Sequence, residues 1–195
     1  MTNYMIAHQL FAPAVHAEII RYMDERIPFY SVGYDTEQFV RRYRHNDPFF
    51  VEIHQQLGEF ASDLFGEELK PSYVFLSMYE EGGICPLHID RPQCFRTIDY
   101  LIRQDDPEPW PIHIGALYSD DEIAALHEAG EGHPEGSAID ERIWAETWET
   151  ALIKPNDAVC YSGTHQWHYR SQRLKGTADL AFFHFVAKDF DGQLD

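Results

Sequence analysis

The sequence predicts an α+β domain, mainly β: an antiparallel sandwich or barrel backed by helices that come first in the chain. Two observations predict it. Apolar residues recur at helical spacing up to residue 66, and from residue 72 the period drops to two. The strand-like stretches beyond that switch are short and separated by turn residues, which suits an antiparallel layered architecture. A chain of 195 residues fits one domain with a sizeable core, and 44% apolar with 14% aromatic residues argues against disorder.

Residues 14–25, AVHAEIIRYMDE, place Val15, Ile19, Ile20 and Met23 on one helical face. A second helix begins where Asp47 can cap and Pro48 suits the first position. Ile53, Leu57, Phe60 and Leu64 then repeat at helical spacing, and Gly66 ends the run. Between them, RIPFYSVGYDTEQFVRRYRH reads as a loop followed by a short helix at 36–44. In SYVFLSMY, Val74, Leu76 and Met78 take one face of a strand, and Tyr73, Phe75, Ser77 and Tyr79 take the other. EEGG is a turn. Further strands are FRTIDYLI (95–102), WPIHIGAL (110–117), DAVCYS (157–162) and DLAFFHFV (179–186). Residues 119–149 break the rhythm with ten acidic residues and one basic one, Arg142. They read as an acidic insertion, either a lid or a solvated excursion, with a short helix at 120–129 and another over AIDERIWAETWE. The organisation is a single domain over 1–195: helical support over 1–70, a β core over 72–187, and the insertion within it.

Thirty-three acidic residues against fifteen basic give a formal charge of −18. Such a surface repels phosphate backbones and anionic lipid, so nucleic acid and membrane are poor partners. It favours a cationic or zwitterionic molecule, although excess acid also serves solubility alone. No apolar run approaches the ~18 residues needed to span a bilayer. The start MTNYMIAHQLFAPAV lacks a basic region followed by an apolar stretch, so no signal peptide is expected. Cys85, Cys94 and Cys160 are odd in number and lack CxxC spacing, which points to a reducing cytoplasm rather than a disulfide framework. The sequence assigns no oligomeric state.

The chemistry gathers at ICPLHIDRPQCF, residues 84–95. On extended chain His88 and Asp90 point to the same side, so an imidazole and a carboxylate converge where a metal could sit. A third ligand is available in KPNDAVCYSGTHQWHYRSQ, from His165 or His168. Two histidines and a carboxylate on one face of an iron leave the opposite positions open, the arrangement of non-heme Fe(II) oxygenases. A zinc site built on Cys85, His88 and Cys94 lacks a CxxC pair and a matching distal couple. His113 and His184, in apolar strands, read as hydrogen-bonded core residues.

At these residues the chain resembles the 2-oxoglutarate and Fe(II)-dependent oxygenases, and within them the prolyl-hydroxylase-like branch. The resemblance covers roughly residues 72–187: SYVFLSMYEEGG, HID, FRTIDYL, KPNDAVCYSG, HYR and AFFHFV, in the family's order. It implies a double-stranded β-helix, or jelly roll, with the N-terminal helices packed on one sheet. It further implies Fe(II) held by His88, Asp90 and His168, with 2-oxoglutarate as co-substrate and hydroxylation of a C–H bond as the reaction. His168 fits the family better than His165, because it stands farther past the strand and is followed by Tyr169 and Arg170. Halogenating relatives replace the carboxylate with a small residue, so Asp90 implies hydroxylation or a related desaturation or cyclisation.

The chain departs from the family at the cation that meets the far carboxylate of 2-oxoglutarate, where it has Ala178. The replacements available are Arg96, Arg170, Arg173, Lys175 and His184. Arg96 with Tyr100 and Tyr79 is the favoured set, with Arg170 next. An amino acid, a peptide side chain or a natural-product scaffold all fit as the small-molecule or peptide substrate. Two rivals remain: a jelly-roll metalloenzyme using the same triad without 2-oxoglutarate, and a non-catalytic jelly-roll binding module.

Overall fold

A computed structural model of the chain describes residues 3–29, 32–36, 39–128 and 147–195. After a short strand β1 (Met5–Ala7), helix α1 (Pro13–Glu25) starts with Pro13 in its first turn and buries Ile19 and Met23, while Val15 stays exposed. The second expected helix is two. Helix α2 (Pro48–Gln56) is capped by Asp47, whose carboxylate accepts from the Phe49 amide at 3.1 Å, and α3 (Gly58–Phe65) ends at Gly66 with φ 68°. Arg44 and Tyr22 also donate to Asp47, so this fully buried carboxylate ties the hairpin before α2 to α1 and α2.

Where a loop and then a short helix at 36–44 are expected, the chain forms instead a hairpin of β2 (Gly33–Asp35) and β3 (Arg41–His45). Strand β3 pairs with β4 (Leu69–Tyr79), Arg41 opposite Tyr79 and His45 opposite Phe75. Pairing to an existing edge supplies hydrogen bonds that a short helix there could not match, and tertiary context overrides the local pattern. The remaining strands are β5 (Cys85–His88), β6 (Arg96–Gln104), β7 (Ile112–Ile114), β8 (Glu149–Ala151), β9 (Ala158–Tyr161), β10 (His168–Arg170) and β11 (Ala178–Ala187).

These form two antiparallel sheets. The larger runs β1-β9-β6-β11-β4-β3-β2 and the smaller β5-β10-β7-β8. Their inner faces meet over Tyr79, Leu101, Trp110, Ile112, Tyr161 and Leu180. The outer face of the large sheet, with Leu76, Ile98, Tyr100 and Phe183, packs on the helices. This is a double-stranded β-helix with its N-terminal helices on one sheet. Helix α4 (Asp120–Glu128) covers the outer side of the small sheet, where Ile123 joins Leu87, Ile89 and Trp167. Residues 129–146 of the acidic insertion, including Ile139, Ile143 and Trp144 of its second expected helix, lie outside the described residues. Trp148, expected in that helix, is described outside any helix and packs edge-on against Tyr169 at 4.8 Å.

His54 of α2 is buried between Phe183 and Phe185, and its Nε2 has no hydrogen-bond partner. Burial first, then the neighbouring His184, depress it to about 3. The unfolded chain protonates His54 below about 6.5, while the folded one resists down to about 3. Its contribution to stability is therefore complete above that window and is lost as pH falls through it, by at most ~1.4 kcal/mol per pH unit. His54→Leu is expected to flatten the loss of stability between pH 6.5 and 4 in denaturant titrations relative to the parent chain. An unchanged slope would place the acid sensitivity elsewhere.

Candidate metal centre

Strands β5 and β10 are neighbours in the small sheet, and their register sets His88 directly opposite His168. Side chains across such a pair face the same way, and here the two imidazole centroids are 4.3 Å apart. Asp90 follows two residues after His88, with Oδ1 3.3 Å from His88 Nε2 and Oδ2 3.8 Å from His168 Nε2. The Nδ1 of His88 lies 2.7 Å from the carbonyl of Pro86, and the Nδ1 of His168 lies 3.0 Å from that of Gln166. A carbonyl can only accept, so each Nδ1 carries a proton, and Nε2 is the ring atom that each histidine turns toward Asp90. Burial opposes ionisation of Asp90, but the two imidazoles outweigh it and hold its pKa near 2. Burial first, then His88, depress His168 to about 4. Burial works against a charge on His88, but Cys85 and Asp90 outweigh it and raise its pKa well above the ordinary value, so a divalent ion would displace its Nε2 proton on binding.

Gly163 braces the carboxylate. Its carbonyl accepts from the Asp90 amide at 2.8 Å, and a Cβ there would collide with Asp90 Oδ2 and the Cys94 carbonyl. His165 is elsewhere: its Nε2 meets Asp120 at 2.8 Å and its Nδ1 meets Thr164. Asp90, Cys94 and His184 make a second close group that shares Asp90. It suits a metal less well, because burial pushes the Cys94 thiol up toward its neutral form and its sulfur sits 2.9 Å from the Tyr73 hydroxyl.

The three residues open onto a cavity of roughly 530 Å³ between the sheets. At its inner end stand Tyr79, Arg170, Asp99 and Arg41. Arg170 donates to Asp99 at 2.8 Å and to the Trp110 carbonyl at 2.6 Å, leaving Asp99 Oδ1 buried and without a partner. Arg41 lies over the Phe39 ring at 3.9 Å and donates to Ser77 Oγ and to the Tyr79 hydroxyl. Its Nε is buried without a partner, and among the described residues no carboxylate pairs with it. Burial pushes the Tyr79 phenol up, which keeps it a donor.

Arg96 and Tyr100, the expected carboxylate anchors, do share a face of β6, but it is the outer one. Arg96 pairs with Glu67, and Tyr100 packs under α1 with its hydroxyl 2.5 Å from His16 Nδ1. The inner face of β6 carries Thr97, Asp99 and Leu101. Arg173 reaches the Gly82 carbonyl outside the cavity, and Lys175 is exposed. His184 lines the cavity, with Nδ1 on Thr97. Ala178, the position of the missing cation, is buried opposite Tyr79. Arg41 is not among the residues expected at the site, since its strand lies where a helix is expected. The alternation of Phe39, Arg41, Tyr43 and His45 was the signal available for it.

Two facing antiparallel sheets make a jelly roll, and a two-histidine, one-carboxylate group lies between them. Comparison with solved structures bears out the fold. The chain is similar to the non-heme, alpha-ketoglutarate-dependent carbocyclase SnoK from nogalamycin biosynthesis (TM-score 0.73, 9% identity, 96% of this chain and 80% of that one). It is similar to HygX from Streptomyces hygroscopicus, solved with nickel and 2-oxoglutarate (0.63, 12%, 97% and 84%). It is also similar to a Pseudomonas putida prolyl-4-hydroxylase (0.62, 10%, 95% and 93%). At these identities the likeness is one of fold. No protein-family model matches the chain, and no curated protein matches it by sequence.

Proposed function

We propose that the chain is an Fe(II)- and 2-oxoglutarate-dependent dioxygenase that hydroxylates a C–H bond of a small-molecule or peptidyl substrate, releasing succinate and CO2. The observation that carries this reading is the convergence of His88 Nε2, Asp90 and His168 Nε2 at one point of a cavity whose inner end holds an arginine, Arg41, with no carboxylate partner among the described residues. When bound by those three residues, Fe(II) with 2-oxoglutarate supplies the oxidising chemistry, coupling decarboxylation of the co-substrate to attack on a substrate C–H. The chain supplies the geometry. Carbonyls of Pro86 and Gln166 hold the two rings in one tautomer, and Gly163 holds the Asp90 backbone. Arg41 and Tyr79, with Arg170 beside them, receive the far carboxylate of 2-oxoglutarate, in place of the cation absent at Ala178. The aromatic wall of the large sheet limits water at the reacting centre.

The similar folds include an epimerase and a carbocyclase as well as a hydroxylase, so the same centre supports other outcomes after C–H attack. Three free cysteines suit a reducing cytoplasm, and no described helix is long and apolar enough to cross a membrane. With Fe(II), oxygen and 2-oxoglutarate supplied, purified protein is expected to release succinate, faster when its substrate is present. A rate no higher than that of the His88→Ala variant would count against the reading and favour a metalloenzyme without 2-oxoglutarate.

A further inference from the structure

We propose that the molecule acted on is a flat aromatic or conjugated acid, its ring system laid on the large sheet and its anionic group met by Arg91. This rests on the reading that His88, Asp90 and His168 hold the reacting metal, which places the occupant of the neighbouring space in position to react.

The floor of the cavity is aromatic. Tyr43 and His45 of β3, Tyr73 and Phe75 of β4, and Phe182 and His184 of β11 all point inward. Register makes them neighbours, since His45 and Phe182 both stand opposite Phe75. Tyr43 stacks on Phe75 with centroids 5.3 Å apart, and Tyr73 lies 4.8 Å from His45 and 4.6 Å from His184. Neighbouring inward side chains on one pleated face tile a broad surface. A planar ring gains dispersion and offset stacking along that surface, where a branched aliphatic chain touches it at few points.

The charge comes from Arg91, the residue after Asp90. Its guanidinium lies 4.4 Å over the Tyr73 ring, and its Nε donates to the Tyr73 hydroxyl at 3.2 Å. No carboxylate forms an ion pair with it among the described residues; Asp195 lines the same cavity but makes none with it. The two ends of the cavity therefore differ. Arg41, Tyr79 and Arg170 stand at one end, Arg91 and Tyr73 at the other, and the triad lies between them. The inner end takes the co-substrate carboxylate, which leaves Arg91 for a second anion. An ammonium group there would face Arg91; of the carboxylates lining the cavity, Asp90 is committed to the metal, Asp99 is paired with Arg170, and Asp195 stands near His45. The acidic surface, which alone would favour a cation, acts through solvent and is screened beyond about 8–10 Å. Arg91, exposed at the edge of the cavity and seated over Tyr73, meets an anion by direct contact.

Binding of three probes of one shape tests this: 2-naphthoate, 2-naphthamide and 2-naphthylmethylammonium, followed by ligand-observed NMR. The titration is run on metal-free protein and repeated with Ni(II) and 2-oxoglutarate. The carboxylate is expected to bind about tenfold or more tightly than the other two. Arg91→Gln should erase that preference and Arg91→Lys should keep part of it. Phe75→Leu should weaken all three probes. Equal binding of the three probes, no binding of any, or a preference that survives Arg91→Gln would each overturn the proposal. So would a preference that needs His88, since the naphthoate would then be a metal ligand. Because the metal-free arm uses neither iron nor 2-oxoglutarate, failure of the oxygenase reading registers separately, as absent succinate release.

Discussion

Replacing His88, Asp90 or His168 with alanine is expected to abolish stoichiometric Fe(II) binding in anaerobic dialysis, while His165→Ala retains it. Removing even a supporting partner of a metal ligand costs about 10- to 100-fold in affinity, so removing one ligand of three costs more. His88 and His168 face each other across β5 and β10 with both Nε2 atoms turned toward Asp90, whereas His165 is paired with Asp120. Gly163→Ala tests the brace. Its new methyl would press on Asp90 Oδ2, so iron affinity should fall although no ligand has changed. Cys94→Ser separates the triad from the second group around Asp90, and iron should stay. Iron retained by His168→Ala, or lost from Cys94→Ser and His184→Ala alone, would move the centre to Asp90, Cys94 and His184.

What the sequence showed of this site follows from where its signals lie. His88 and Asp90 are two apart on extended chain, and that spacing alone sets their directions. His168 needed a pairing of β10 with β5 that no local pattern records; only family order chose it over His165. The inward face of β4 was readable, because Val74, Leu76 and Met78 are aliphatic and Tyr73, Phe75 and Tyr79 are aromatic. On β6 the same reasoning chose the wrong face. That strand is covered by helices on one side and by the second sheet on the other, so both faces read as buried and neither is marked as the cavity. Arg96 and Tyr100 were correctly placed together, then assigned to the wrong side. Strand β3 was lost because RRYRH is charged, and charge in a strand reads as solvent exposure until a cavity is known to receive it.

That lost strand carries the second large expected effect: Arg41→Gln should raise the 2-oxoglutarate requirement sharply. A charge-assisted bond to a carboxylate contributes about 1.5–3 kcal/mol, roughly ten- to a hundredfold in affinity. Arg41 stands in the cavity with a buried, unpartnered Nε and with Tyr79 on its Nη1, so a ligand carboxylate would satisfy it. Arg170 is the companion test, but its pairing with Asp99 complicates a single change. Arg170→Gln strands a buried carboxylate, and breaking such a pair typically costs about 3–5 kcal/mol in stability. The double variant Arg170→Gln, Asp99→Asn removes both charges and isolates any effect on the co-substrate. Arg96→Ala should leave the 2-oxoglutarate requirement unchanged, since its guanidinium meets Glu67 on the outer face. Succinate formation measured against 2-oxoglutarate concentration decides among them. An unchanged requirement in Arg41→Gln together with a raised one in Arg96→Ala would reverse the assignment of the two faces.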